Sequence, residues 1–125
     1  MRIAVLIVAL ATAAPAIAAS LPTHVGQCAT TAIKMVGTRL EDGAGKPVEG
    51  SGSTVIFVNG GSQVSYEVLP AIDRSRPGDP MRLCLVSIPK HCPPGDDRGR
   101  FYKATNLRTG KSWTLPDSEH MCGGA

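Results

Sequence analysis

Aromatic residues are scarce in this chain, with one Trp, two Tyr and two Phe among 125 residues. Large rings are the most effective core-fillers, so the core must be small or reinforced by other means. No apolar run approaches the roughly 20 residues that a membrane-spanning helix needs. Asn-x-Ser/Thr sequons, internal repeats and coiled-coil heptads are all missing. So are a phosphate-binding glycine loop, a Gly-x-Ser-x-Gly elbow and an Asp-x-Asp-x-Asp-Gly calcium loop, along with the common zinc spacings of Cys and His. Charge of one sign is also lacking. Thirteen basic and ten acidic residues give a net charge of +3. That is too weak an excess for a nucleic-acid binder.

What is present begins with the first nineteen residues. Met1 and Arg2 start the chain, Ile3 to Ala14 is apolar apart from Thr12, and Pro15 is followed by small residues up to Ala19. This is the three-part pattern of a secretory signal peptide, and it predicts cleavage near Ala19. Residues 20–125 then form one small domain. Export exposes that domain to an oxidising compartment, periplasmic or extracellular, where cysteines pair. No membrane span remains after cleavage. The mature part is about one-third apolar and carries all 14 glycines and nine of the ten prolines, a composition of turns and short elements.

The expected strands are short. Residues 31–40 are β-tolerant, and residues 41–53 read as a mobile glycine-rich loop. Thr54 to Val58 is β-branched and aromatic, and Asn59-Gly60-Gly61 supplies a tight turn. From Gln63 to Leu69 polar and apolar residues alternate, which predicts Val64, Tyr66 and Val68 on the core side. Residues 71–76 form one helical turn, followed by strands at 81–88, 100–106 and 111–115. Met81, Leu83 and Leu85 share one face. The predicted fold is all-β, a small antiparallel β-barrel (OB-like or similar) of five to six short strands stapled by two disulfides. The predicted core is Val55, Phe57, Val64, Tyr66, Val68, Leu83, Leu85 and Trp113.

Four cysteines allow three pairings. A hairpin turning at 107–110 sets Ala104 opposite Trp113 and Arg100 opposite Asp117, and carries Cys122 back towards Cys92. Cys28 and Cys84 then remain, on strands that an OB-like order makes neighbours. The expected bridges are Cys28–Cys84 and Cys92–Cys122. Chain-entropy reasoning gives them about 4 and 3.5 kcal/mol of stabilisation.

Two constellations suggest function. Arg98, Arg100, Lys103, Arg108 and Lys111 crowd the last hairpin and form a candidate binding surface for a protein or an anionic envelope component. The plainer reading is that these residues solvate the hairpin's outer side. His91 and His120 flank the second cysteine pair and are candidate metal ligands. The plainer reading there is two loop histidines beside a disulfide. Asp96 and Asp97, with Arg98 and Arg100 close by, read as a loop ion-pair cluster. The expectation is an exported, non-catalytic binding or inhibitor module without a cofactor. The alternative is a metal-binding protein using His91 and His120.

Overall fold

The computed structural model describes residues 4, 7–11 and 19–124. Six antiparallel strands make one sheet: β1 (Cys28–Thr38), β2 (Ser53–Phe57), β3 (Ser62–Ser65), β4 (Pro80–Ser87), β5 (Phe101–Asn106) and β6 (Ser112–Pro116). A single helical turn, α1 (Pro70–Asp73), lies between β3 and β4. The order across the sheet is β3-β2-β1-β4-β5-β6. The architecture is all-β and curls into a half-barrel. The helical turn falls where it was expected, and β1 and β4 are neighbours.

The curl originates in β1. Its first part, Cys28 to Ala32, pairs with β4, and its second part, from Ile33 to Thr38, pairs with β2. The register shifts between Ile33 and Met35. An irregularity of this kind bends a strand and increases its twist, so one strand serves two partners on diverging halves. The inward face gathers Ile33, Val55, Phe57, Met81, Leu83, Leu85, Tyr102, Ala104 and Trp113. Pro70 opens α1 at the helical position best suited to proline, and the turn delivers Ile72 into the same core.

Both predicted disulfides are formed. Cys28 bridges Cys84 with a Cα–Cα distance of 4.0 Å, and Cys92 bridges Cys122 at 5.3 Å. The last hairpin has the predicted register, with Ala104 opposite Trp113 and the Asp117 amide donating to the Arg100 carbonyl.

Two core assignments are corrected. Tyr66 is 57% exposed and Val68 45% exposed, because β3 ends at Ser65 and the chain leaves the sheet before them; Val64 is buried as predicted. The register of β3 on β2 pairs Gln63 with Val55 and Ser65 with Ser53. Val55 and Ser53 are wholly buried, so Gln63 and Ser65 are buried beside them. The 41–52 segment is also more ordered than its composition implies. Asp42 Oδ1 accepts from the amides of Ala44 and Lys46, and Glu41 makes a β-bridge to Pro47. It returns through Gly52, whose φ is +126°; a Cβ there would run into the Ser65 carbonyl.

The two edges of the half-barrel, β3 and β6, meet through side chains rather than a backbone ladder. The Gln63 amide nitrogen donates to the carbonyls of Tyr102 (2.7 Å) and Leu115 (3.2 Å). Its oxygen accepts from Trp113 Nε1 at 2.8 Å. Ser62 Oγ donates to the Asp117 carbonyl. Beyond β6 the chain continues across this seam. Glu119 pairs with Arg39 at 3.0 Å, and the Glu119 carbonyl accepts from the Tyr66 hydroxyl. The Arg39 guanidinium lies 4.2 Å from the centre of the Tyr66 ring.

Candidate binding face

The five basic residues predicted on the last hairpin divide into two groups. Arg98, Arg100 and Arg108 are held by carboxylates. Arg98 donates to both oxygens of Asp96 at 2.9 Å and to the Gly124 carbonyl. Asp96 also accepts the Gly123 amide, so this pair secures the loop that carries the Cys92–Cys122 bridge. Arg100 reaches Asp97 at 4.0 Å, and its Nε is buried without a partner among the described residues. Arg108 donates through Nε to Asp79 at 2.6 Å and through Nη2 to Asp79 at 3.0 Å and to the Arg74 carbonyl at 3.1 Å. Asp79 is buried, and Asn106 Nδ2 and the Arg76 amide complete its shell. These donors, Arg108 foremost, hold its carboxyl well below the usual carboxylate range. Arg98 does the same for Asp96.

Lys103 and Lys111 remain exposed, with no ion pair among the described residues. Lys103 belongs to the outer face of the four strands β1, β4, β5 and β6. The core residues Leu83, Tyr102, Ala104 and Trp113 point the other way, so alternation turns their neighbours outward. The register aligns Thr30, Arg82, Thr105 and Ser112 in one row across the four strands. Cys28, Cys84, Lys103 and Thr114 make the next row. Arg82 is exposed and free of ion pairs among the described residues, like Lys103. No acidic residue occupies either row. Arg82 was missing from the sequence-based set, although the inward alternation of Met81, Leu83 and Leu85 already turned it outward.

His91 and His120 are both exposed on the loops either side of the Cys92–Cys122 bridge. His91 has a left-handed backbone, with φ at 62°, so its place in the turn sets its position. No group of three or more His, Cys, Asp or Glu side chains is gathered for a metal among the described residues. All four sulfurs are consumed in disulfides.

A cavity of about 120 Å³ opens at the seam, lined by Leu21, Gly61, Ser62, Leu83, Tyr102 and Asp117 among others. Burial and the nearby Asp117 carboxylate raise the Tyr102 phenol. Small-molecule sites typically enclose about 300–1,000 Å³, so this cavity has room for a few waters rather than for a substrate. Comparisons with protein-family models, curated proteins and solved structures return no match to this chain.

Proposed function

We infer that the protein is an exported, non-catalytic binding module acting on an envelope partner, with residues 1–19 as a removable leader and residues 20–125 as the working domain. The observation that carries the binding reading is the exposure of Lys103 and Lys111 on the last hairpin, free of the ion pairs that hold the other three cations. The half-barrel presents these side chains on a stapled surface, which lowers the ordering cost of association. Two closed disulfides fit an oxidising compartment. The leader reading has support at both ends of its boundary. Ile7, Val8 and Leu10 are all more than 70% exposed. Past the boundary the chain packs against the domain, with Pro22 fully buried.

A pull-down from envelope extracts with the disulfide-bonded protein tests the reading. The expected result is a partner whose retention falls with added salt and drops several-fold for the Lys103→Ser/Lys111→Ser variant. A partner retained equally by both proteins would place the site elsewhere, with the 41–52 loop the next surface to examine.

A further inference from the structure

We propose that the outer face of β1, β4, β5 and β6 is a binding strip for an anionic polysaccharide, with Arg82 and Lys103 as its charge contacts. The proposal rests on the binding reading above and moves its centre from the hairpin to the sheet face.

The two rows of this face carry Arg82 and Lys103 at diagonal positions on adjacent strands. Diagonal neighbours on a sheet stand about 7–8 Å apart, within reach of one ligand. Around them lie the hydroxyls of Thr30, Thr105, Ser112 and Thr114. With strands about 4.8 Å apart, the face is roughly 14 Å from its first strand to its fourth, enough for a short run of sugar units. Interleaved cations and hydroxyls suit a ligand whose own anionic groups alternate with hydroxyls. Both cations lack intramolecular partners among the described residues, so a ligand displaces only water.

What the two cation-bearing rows lack separates this ligand from two others. Protein contacts are dominated by aromatic and other large anchors in their centre, and membrane contacts need apolar side chains to insert. The two rows hold neither. Met35, Val58, Tyr66 and Val68, which are exposed, lie outside these rows. Val86 and the half-buried Phe101 lie on the same outer face one step beyond them, at the end where Phe101 pairs with Pro116, and so border the strip rather than fill it. Apart from the Cys28–Cys84 bridge, the rows are hydroxyls and cations.

The test is a titration of the disulfide-bonded protein with polygalacturonate, a linear uronic-acid chain, at low and at physiological salt. Poly-glutamate and phosphatidylglycerol vesicles serve as comparison probes. Binding to polygalacturonate that weakens with salt, and falls about tenfold in Arg82→Ser/Lys103→Ser, supports the assignment. Lys46→Ser/Lys90→Ser removes the same charge from outside this face and should bind within twofold of the parent. Equal losses in the two double variants would reduce the effect to net charge and overturn the proposal. Tighter binding to poly-glutamate or to the vesicles would overturn it as well. If polygalacturonate does not bind, but a pulled-down partner is lost on Arg82→Ser/Lys103→Ser, the polysaccharide assignment fails while the binding reading stands.

Discussion

Gln63 does more for this fold than its polarity suggests. It is buried to 1% exposure, and both ends of its amide are used across the gap between β3 and β6. A buried amide is tolerated only when its partners are present, and removing it orphans them in turn. Gln63→Leu keeps similar bulk but leaves the Trp113 indole N–H and two carbonyls without Gln63. Each buried orphan costs about 1–3 kcal/mol; with relaxation, the variant is expected to lose about 3 kcal/mol overall. Urea unfolding followed by Trp113 fluorescence measures this, and a loss under about 0.5 kcal/mol would show that the seam does not depend on Gln63. The same residue marks a limit of sequence reading. The alternation from Gln63 onwards was legible, but neither its end at Ser65 nor the burial of its polar residues was. Hydrophobicity assigns Val64, Tyr66 and Val68 to the core; Val64 is buried, but the strand ends before Tyr66, and the register on β2 and the need to bridge an unpaired edge bury Gln63 and Ser65 as well.

Among the elements, the turn after β5 and the segment before β4 are joined through Asp79. Asp79 accepts from Arg108, Asn106 and the Arg76 amide, and Asn106 also donates to Ser75 Oγ. The pair thus ties the tip of the last hairpin to the chain following α1. Its carboxyl is depressed in the folded protein, relative to about 3.9 for an unfolded Asp. A depressed carboxylate contributes stability above its unfolded pKa and loses it as pH falls towards the folded value. The melting midpoint should therefore decline as pH drops below about 4. Asp79→Asn should start lower at neutral pH and decline less steeply, retaining the part that Asp96 contributes by the same mechanism. Parallel curves for the two proteins would contradict this role. The hairpin register was legible from its turn, and with it the Cys92–Cys122 bridge. The Asp79–Arg108 pair was not, because 29 residues separate its members and no local pattern signals the contact. Arg108, placed by sequence in the binding set, is held in an ion pair that joins two elements of the fold. Arg82 shows the reverse: its outward position followed from the strand alternation, but its value emerged only when the register set it beside Lys103.

The whole molecule combines a thin core with a covalent frame. Ten buried residues among those described form the main cluster, and the two disulfides close sequence separations of 56 and 30 residues. One bridge crosses the sheet between β1 and β4, on the face that carries Arg82 and Lys103, and the other fixes the loops at the sheet's end. The frame holds an open, cation-bearing face, which suits recognition of an extended ligand. The most direct test of that account is to follow backbone amide shifts of the disulfide-bonded protein in two-dimensional NMR spectra during titration with polygalacturonate. The account predicts that shifts concentrate in β4, β5 and β6 around Arg82, Lys103 and Thr114, with residues 41–52 undisturbed. Shifts concentrated in 41–52, or around Leu21, Ser62 and Asp117 at the seam cavity, would contradict it.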